Sequence, residues 1–150
     1  MSSKKTGNRK NAREVAFQMI FQMDVGANPL DIAVTTMEDA LAEGKIKEID
    51  RDYIMSVVKG VDEMKAEADV FISENAKDWT LDRINTVEKN IIRLALYEIR
   101  RMEQIPYEVS LNEAVELAKK YGDGGAFAFV NAVLDNARPE KKMAENGEKK

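Results

Sequence analysis

Apolar residues recur along this chain at intervals of three and four, and no segment alternates apolar with polar over four or more residues between turn signals. The spacing predicts helices throughout and no strands. Val15, Ala16, Met19, Ile20 and Met23 share one face of a first helix from about Ala12 to Met23. Pro29 behind Asn28 has the place of a first-turn proline after a cap, opening a helix that turns Leu30, Ala33, Val34, Met37, Ala40 and Leu41 inward and ends at Gly44. A longer helix is expected from about Asp50 to Asn75, with Ile54, Val57, Val58, Val61, Met64, Ala68, Phe71 and Ile72 in register and Gly60 as a tolerated weak point. Trp79 to Ile84 reads as a short helical turn with Trp79 as a core plug.

Further along, Asn85-Thr86-Val87-Glu88 has the form of a cap with a glutamate three residues on, opening a helix that carries Ile91, Ile92, Ala95 and Ile99 and ends near Met102. Pro106 breaks the chain. Ser110-Leu111-Asn112-Glu113 reads as a capping box for the next helix, and Gly122 as its left-handed C-terminal residue. A last helix from around Gly125 buries Phe127 or Phe129, with Val130, Val133, Leu134 and Ala137, until Pro139 stops it. The expected fold is all-α, with about six to seven helices.

Charge adds organisation that the apolar pattern lacks. The net of −4 divides into +5 over residues 1–13, +2 from 138 onward and −11 between them. A basic segment on an acidic body creates a local field suited to a polyanion, although a solubilising tail would have the same composition. Arg13 lies inside the first amphipathic helix and so favours the polyanion. The chain divides by expectation into a basic flexible arm at 1–11, a helical domain at 12–138 and a disordered tail at 139–150 with few apolar anchors.

Composition removes most catalytic chemistry. Cysteine and histidine are both absent from the 150 residues, which excludes disulfides, thiolate nucleophiles, Cys- or His-based metal sites, Ser-His-Asp triads and histidine bases. Carboxylate pairs such as Asp50 with Asp52 and Glu38 with Asp39 read as solvated helix faces. Gly122-Asp123-Gly124-Gly125-Ala126 lacks the Lys-Ser/Thr of a phosphate loop and follows no strand, so it reads as a turn. No apolar run approaches the roughly 18 residues of a membrane span, and no apolar segment follows the N-terminal charges as in a secretory signal. A cytoplasmic protein that is not an enzyme and needs no cofactor or metal is expected.

RNA binding is the chemistry the residues do suit. Lysine and arginine supply affinity for phosphates, and unpaired bases are read by stacking on aromatic planes. Arg9, Lys10 and Arg13 offer the cations; Tyr107, Tyr121, Phe127 and Phe129 are each either core or contact, and Phe127 reads as core.

Four linked blocks then carry a family resemblance: Val87-Glu88-Lys89-Asn90-Ile91-Ile92-Arg93-Leu94-Ala95-Leu96-Tyr97-Glu98-Ile99, Ile105-Pro106, Leu111-Asn112-Glu113-Ala114-Val115-Glu116-Leu117-Ala118-Lys119-Lys120-Tyr121-Gly122 and Phe129-Val130-Asn131. In that order and spacing, over about residues 9–138, the chain resembles the NusB family of transcription antitermination factors. The resemblance implies two small bundles of about three helices each. It implies binding of a boxA-like single-stranded RNA together with the small-subunit ribosomal protein that acts as NusE, tethering that RNA to the elongating RNA polymerase. It places Arg9, Lys10, Arg13 and Phe129 on the RNA face and Asp82 and Glu88 at the ribosomal-protein partner. Asp82 and Glu88 also suit helix N-terminal charge, and Asn131 suits a base edge or a helix cap. Ala126, Phe127, Ala128 and Ala132 stand where the family usually has a serine, a basic residue and, after the motif, a glycine. Two other readings remain: a helical interaction module or homodimer with weakened RNA binding, and an accessory domain related to rRNA methyltransferases, for which residues 139–150 leave no room for a cofactor-binding domain.

Overall fold

A computed structural model describes residues 7–76 and 80–139. The expectations for Trp79, for residues 1–6 of the arm and for residues 140–150 of the tail fall outside the described residues. Among the described residues there are seven α-helices and no strand: α1 (Arg9–Val25), α2 (Leu30–Ala42), α3 (Arg51–Glu63), α4 (Lys65–Asn75), α5 (Thr86–Arg101), α6 (Tyr107–Tyr121) and α7 (Ala126–Asp135). The described residues divide into two compact units, one ending at residue 63 and the other starting at residue 64.

In the first unit α1 packs against both α2 and α3. Its inner face holds Ala12, Val15, Ala16, Phe17, Met19 and Ile20, which meet Ala33, Met37 and Ala40 of α2 and Tyr53, Ile54, Val57, Val58 and Val61 of α3. Fully burying each larger apolar side chain contributes roughly 1.5–3 kcal/mol, so this shared core is what draws the three helices together. α1 starts at Arg9, one turn before the expected Ala12, so residues 9–11 are helix and not loose arm. Asn8 is the reason: its side chain accepts from Asn11 N and caps the helix. Gly44, at φ +78°, ends the α2 corner in the left-handed region that favours glycine.

The helix expected over 50–75 is two. Met64, at φ −101° and ψ 16°, leaves helical geometry although no proline or glycine stands within three residues of it. The break coincides with the unit boundary: Val57, Val58 and Val61 are buried in the first unit, and Ala68, Phe71 and Ile72 in the second. The second unit therefore has four helices where the resemblance implied about three.

α5 is the centre of that unit, packing against α4, α6 and α7. Asn90 to Leu96 and Glu98 are all buried. The polar members are satisfied by specific partners, as burial requires. Arg93 donates to both oxygens of Asp69 on α4, at 2.8 Å each, and to Asn90 Oδ1 at 3.0 Å. Glu98 is fully buried and accepts from Ser110 Oγ on α6 at 2.6 Å. Tyr107 donates its hydroxyl to the Leu134 carbonyl at 2.8 Å, joining α6 to α7.

The structure differs from three local expectations. α6 starts at Tyr107 behind Pro106, so Ser110 lies within the helix and gives its hydroxyl to Glu98 instead of capping. Gly122 is extended (φ −96°, ψ 176°) and not left-handed; it is needed for close approach, since a Cβ there would stand 2.5 Å from Ala126 Cβ and 2.8 Å from the Ala118 carbonyl. Phe127 is 42% exposed and not core, because Ala126, Val130, Val133 and Leu134 form the inward stripe of α7 and Phe127 falls off it.

Candidate nucleic-acid interface

The basic residues at the start of α1 are held in place by the segment before α3. Asp50, itself buried, accepts from Asn8 N at 3.1 Å and from Lys47 N at 2.8 Å through one carboxylate oxygen. Asn11 Nδ2 donates to the Lys45 carbonyl at 2.8 Å. The first turn of α1 is thus fastened to residues 45–50 at the helix start, where unpaired amides would otherwise fray.

Arg9 and Lys10 are exposed on this turn, and Arg13 is not: it is 3% exposed. The Arg9 guanidinium carbon lies 4.1 Å from the centroid of the Tyr53 ring and that of Arg13 lies 5.8 Å from it. Such contacts contribute roughly 0.5–1 kcal/mol when exposed and about 2 when dry, enough to bias the Arg9 rotamer. Arg13 therefore has a position that supports the turn from inside, while Arg9 and Lys10 face solvent.

The same fold brings Lys45 and Lys47 beside α1, two cations that sequence reasoning missed. The Asn11 to Lys45 contact spans 34 positions in the chain, so no local pattern announces it. Lys45 is also 3.6 Å from Glu14 Oε1. Arg51 is engaged by acids instead: it lies 2.8 Å from Glu38 and 2.7 Å from Glu48, and it holds the Glu48 carboxyl below its ordinary value.

The remaining predicted residues lie in the second unit. Phe129 is half-buried on α7, and Phe127 is the more exposed ring. Asn131 is exposed and caps none of the described helix starts. Asp82 is exposed on the 3-10 turn Leu81–Arg83 and accepts from Thr80 Oγ1 at 2.6 Å. Glu88 is half-buried in the first turn of α5, where Asn85 provides the cap by accepting from Val87 N at 2.8 Å. Burial raises the Glu88 carboxyl above its ordinary value, and the charge of Asp123 raises it further. Among the described residues no cluster of acidic groups has the arrangement of a metal site, and no helix is long and apolar enough to cross a membrane.

With this geometry in view, the NusB family model matches residues 10–139. A transcription antitermination protein NusB from Listeria innocua is 42% identical over 135 residues, covering 89% of this chain and 98% of that one. The structure of NusB from T. maritima superposes with a TM-score of 0.76 at 30% identity, covering 91% of this chain and 97% of that one. A chain from a crystal structure of the antitermination factors NusB and NusE in complex with dsRNA gives 0.73 at 26% identity, covering 90% and 96%. The chain belongs to the NusB family.

Proposed function

We propose that this NusB-family transcription antitermination factor, which is not an enzyme, acts as an adaptor between RNA and protein. It takes a boxA-like single-stranded RNA at Arg9 and Lys10, with Phe129 stacking on a base and Arg13 supporting the turn that presents the cations. A NusE-type ribosomal protein joins the complex through the acidic surface that includes Asp82 and Glu88, and the assembly tethers the RNA to elongating RNA polymerase. The crystallised NusB relative in complex with NusE and dsRNA supports RNA and a NusE-type protein as partner classes.

The observation that carries the reading is the fastened cationic turn. Arg9 and Lys10 project from a helix start whose cap, Asn8, is bound by buried Asp50 and whose first arginine lies on Tyr53. Fixed cations lose less freedom on meeting phosphate than cations on a loose arm, which favours affinity. The acidic body, at −11 over residues 14–137, suits a basic ribosomal protein through charge complementarity.

The test is charge reversal of Arg9 and Lys10 together, leaving buried Arg13 intact so that folding is not confounded. RNA binding by the double variant should be abolished with an unchanged circular dichroism spectrum. For the native chain, log K should fall with log salt, and these two cations should contribute roughly −1.4 to that slope as phosphate contacts on a single strand. Undiminished binding by the double variant would overturn the reading.

A further inference from the structure

We propose that Phe127, with Lys119 beside it, is a stacking platform for one unpaired RNA base whose phosphate pairs with the lysine. The inference rests on the RNA-binding reading above and adds to it a contact in the second unit.

α7 leaves Phe127 outside its packed face. Ala126, Val130, Val133 and Leu134 are buried, and Phe127 follows Ala126 by about a hundred degrees of helix rotation, which carries it toward solvent. At 42% exposure the ring retains a large accessible surface, whereas Phe129, two residues on, is partly buried and less exposed. A single exposed apolar side chain is ordinary, and Val109 in the same unit is exposed to the same extent. What sets Phe127 apart is the cation on it. Lys119 Nζ lies 5.6 Å from the ring centroid.

That pairing has the chemistry of a nucleotide contact. A base has a π-face that stacks on any aromatic ring without regard to sequence, and its phosphate needs a nearby cation. Lys119 also lies 3.5 Å from Glu116, with both side chains 54% exposed, a pair weak enough to yield to a phosphate. Lys120 lies 5.6 Å from the Tyr121 ring, so the end of α6 carries a second cation at an aromatic. The approach is open as well: a Cβ at Gly124 or Gly125 would meet nothing within 4 Å. Asp123 is the one acid of this loop, and its charge acts on Glu88. The same ring could cover a hydrophobic protein partner, but the lysine on it favours a polyanion.

The experiment compares Phe127→Ala, Phe127→Leu, Phe127→Trp and Lys119→Ala with the native chain, using fluorescence anisotropy of a short labelled single-stranded RNA carrying a boxA-like element, over a range of salt. Thermal unfolding checks each variant; the exposed position predicts little change. Phe127→Ala and Phe127→Leu should bind roughly 5- to 150-fold more weakly with an unchanged salt slope, because stacking releases no counterions, and Phe127→Trp should restore binding. Lys119→Ala should flatten the slope by about 0.7. Native affinity in Phe127→Ala would overturn the platform; if Arg9 and Lys10 reversal still abolished binding, the RNA-binding reading would stand without it. Weakening in Phe127→Ala with native affinity in Phe127→Leu would also overturn it, since that outcome requires bulk and not a π-face. Failure of the native chain to bind any RNA would remove both.

Discussion

Replacing Asp50 with alanine sets two electrostatic expectations against each other. If only the summed field near Arg9 and Lys10 mattered, removing an acid from beside them would tighten RNA binding. If the fastening of α1 matters, binding should weaken. The carboxylate is 4% exposed and accepts two backbone amides, Asn8 N at 3.1 Å and Lys47 N at 2.8 Å. Hydrogen bonds to a charged group contribute ~1.5–3 kcal/mol each, and the released amides recover part of that from water once the helix start frays, leaving a net loss of about 2–3 kcal/mol. For a chain of this length that lowers Tm by about 4–12 °C. Much of the same free energy must be repaid when RNA re-orders the turn, so affinity should fall about tenfold or more. Asp50→Asn keeps an oxygen acceptor of the same shape without the charge, and neutral hydrogen bonds are about half as strong, so it should fall midway in both assays. Calorimetric Tm and RNA anisotropy on the three chains decide the matter. Tighter binding by Asp50→Ala would refute the role of the fastening, whatever happened to Tm.

Ser110→Ala removes the donor to fully buried Glu98 at 2.6 Å and should cost ~1–3 kcal/mol of stability while leaving RNA affinity unchanged; a denaturant titration that shows no shift would return Ser110 to a peripheral role. Gly122→Ala brings a Cβ to 2.5 Å from Ala126 Cβ and 2.8 Å from a carbonyl, and overpacking of that kind should destabilise by ~1–3 kcal/mol, read from the midpoint of chemical unfolding. Glu88→Gln carries a pH signature. Because burial and then Asp123 raise the Glu88 carboxyl above 4.5, the folded chain holds its proton more tightly than the unfolded one, so the penalty is full above the raised value and vanishes as pH falls to 4.5. The variant should therefore be more stable than the native chain at neutral pH, with the gain shrinking through that acidic window; a gain that grew on acidification would contradict the assignment.

The helices were legible because each buries one stripe, and apolar spacing reports a stripe directly. Their ends were less so. α1 begins early at the Asn8 cap, which Asp50 holds from across 42 positions, and the long helix divides at Met64 without a local breaker. Ser110 and Glu113 have the sequence of a capping box, yet Glu98 competes for the hydroxyl and Pro106 starts the helix one turn sooner. The candidate site shows the same division. Arg9 and Lys10 could be read from charge clustering, while the burial of Arg13, the approach of Lys45 and Lys47 and the exposure of Phe127 depend on packing. In α7 the choice between Phe127 and Phe129 turned on helical phase, and two aromatics two residues apart offer no periodic signal to set it.

Joint recognition of RNA and a ribosomal protein is tested by the affinity of the native chain for a boxA-like RNA with and without a saturating NusE-type partner, repeated with Asp82 and Glu88 charge-reversed. RNA binding should be tighter in the presence of the partner, the enhancement should be lost in the reversed chain, and RNA binding by that chain alone should be intact or improved. An RNA affinity indifferent to the partner, or an enhancement that survived the reversal, would contradict joint recognition.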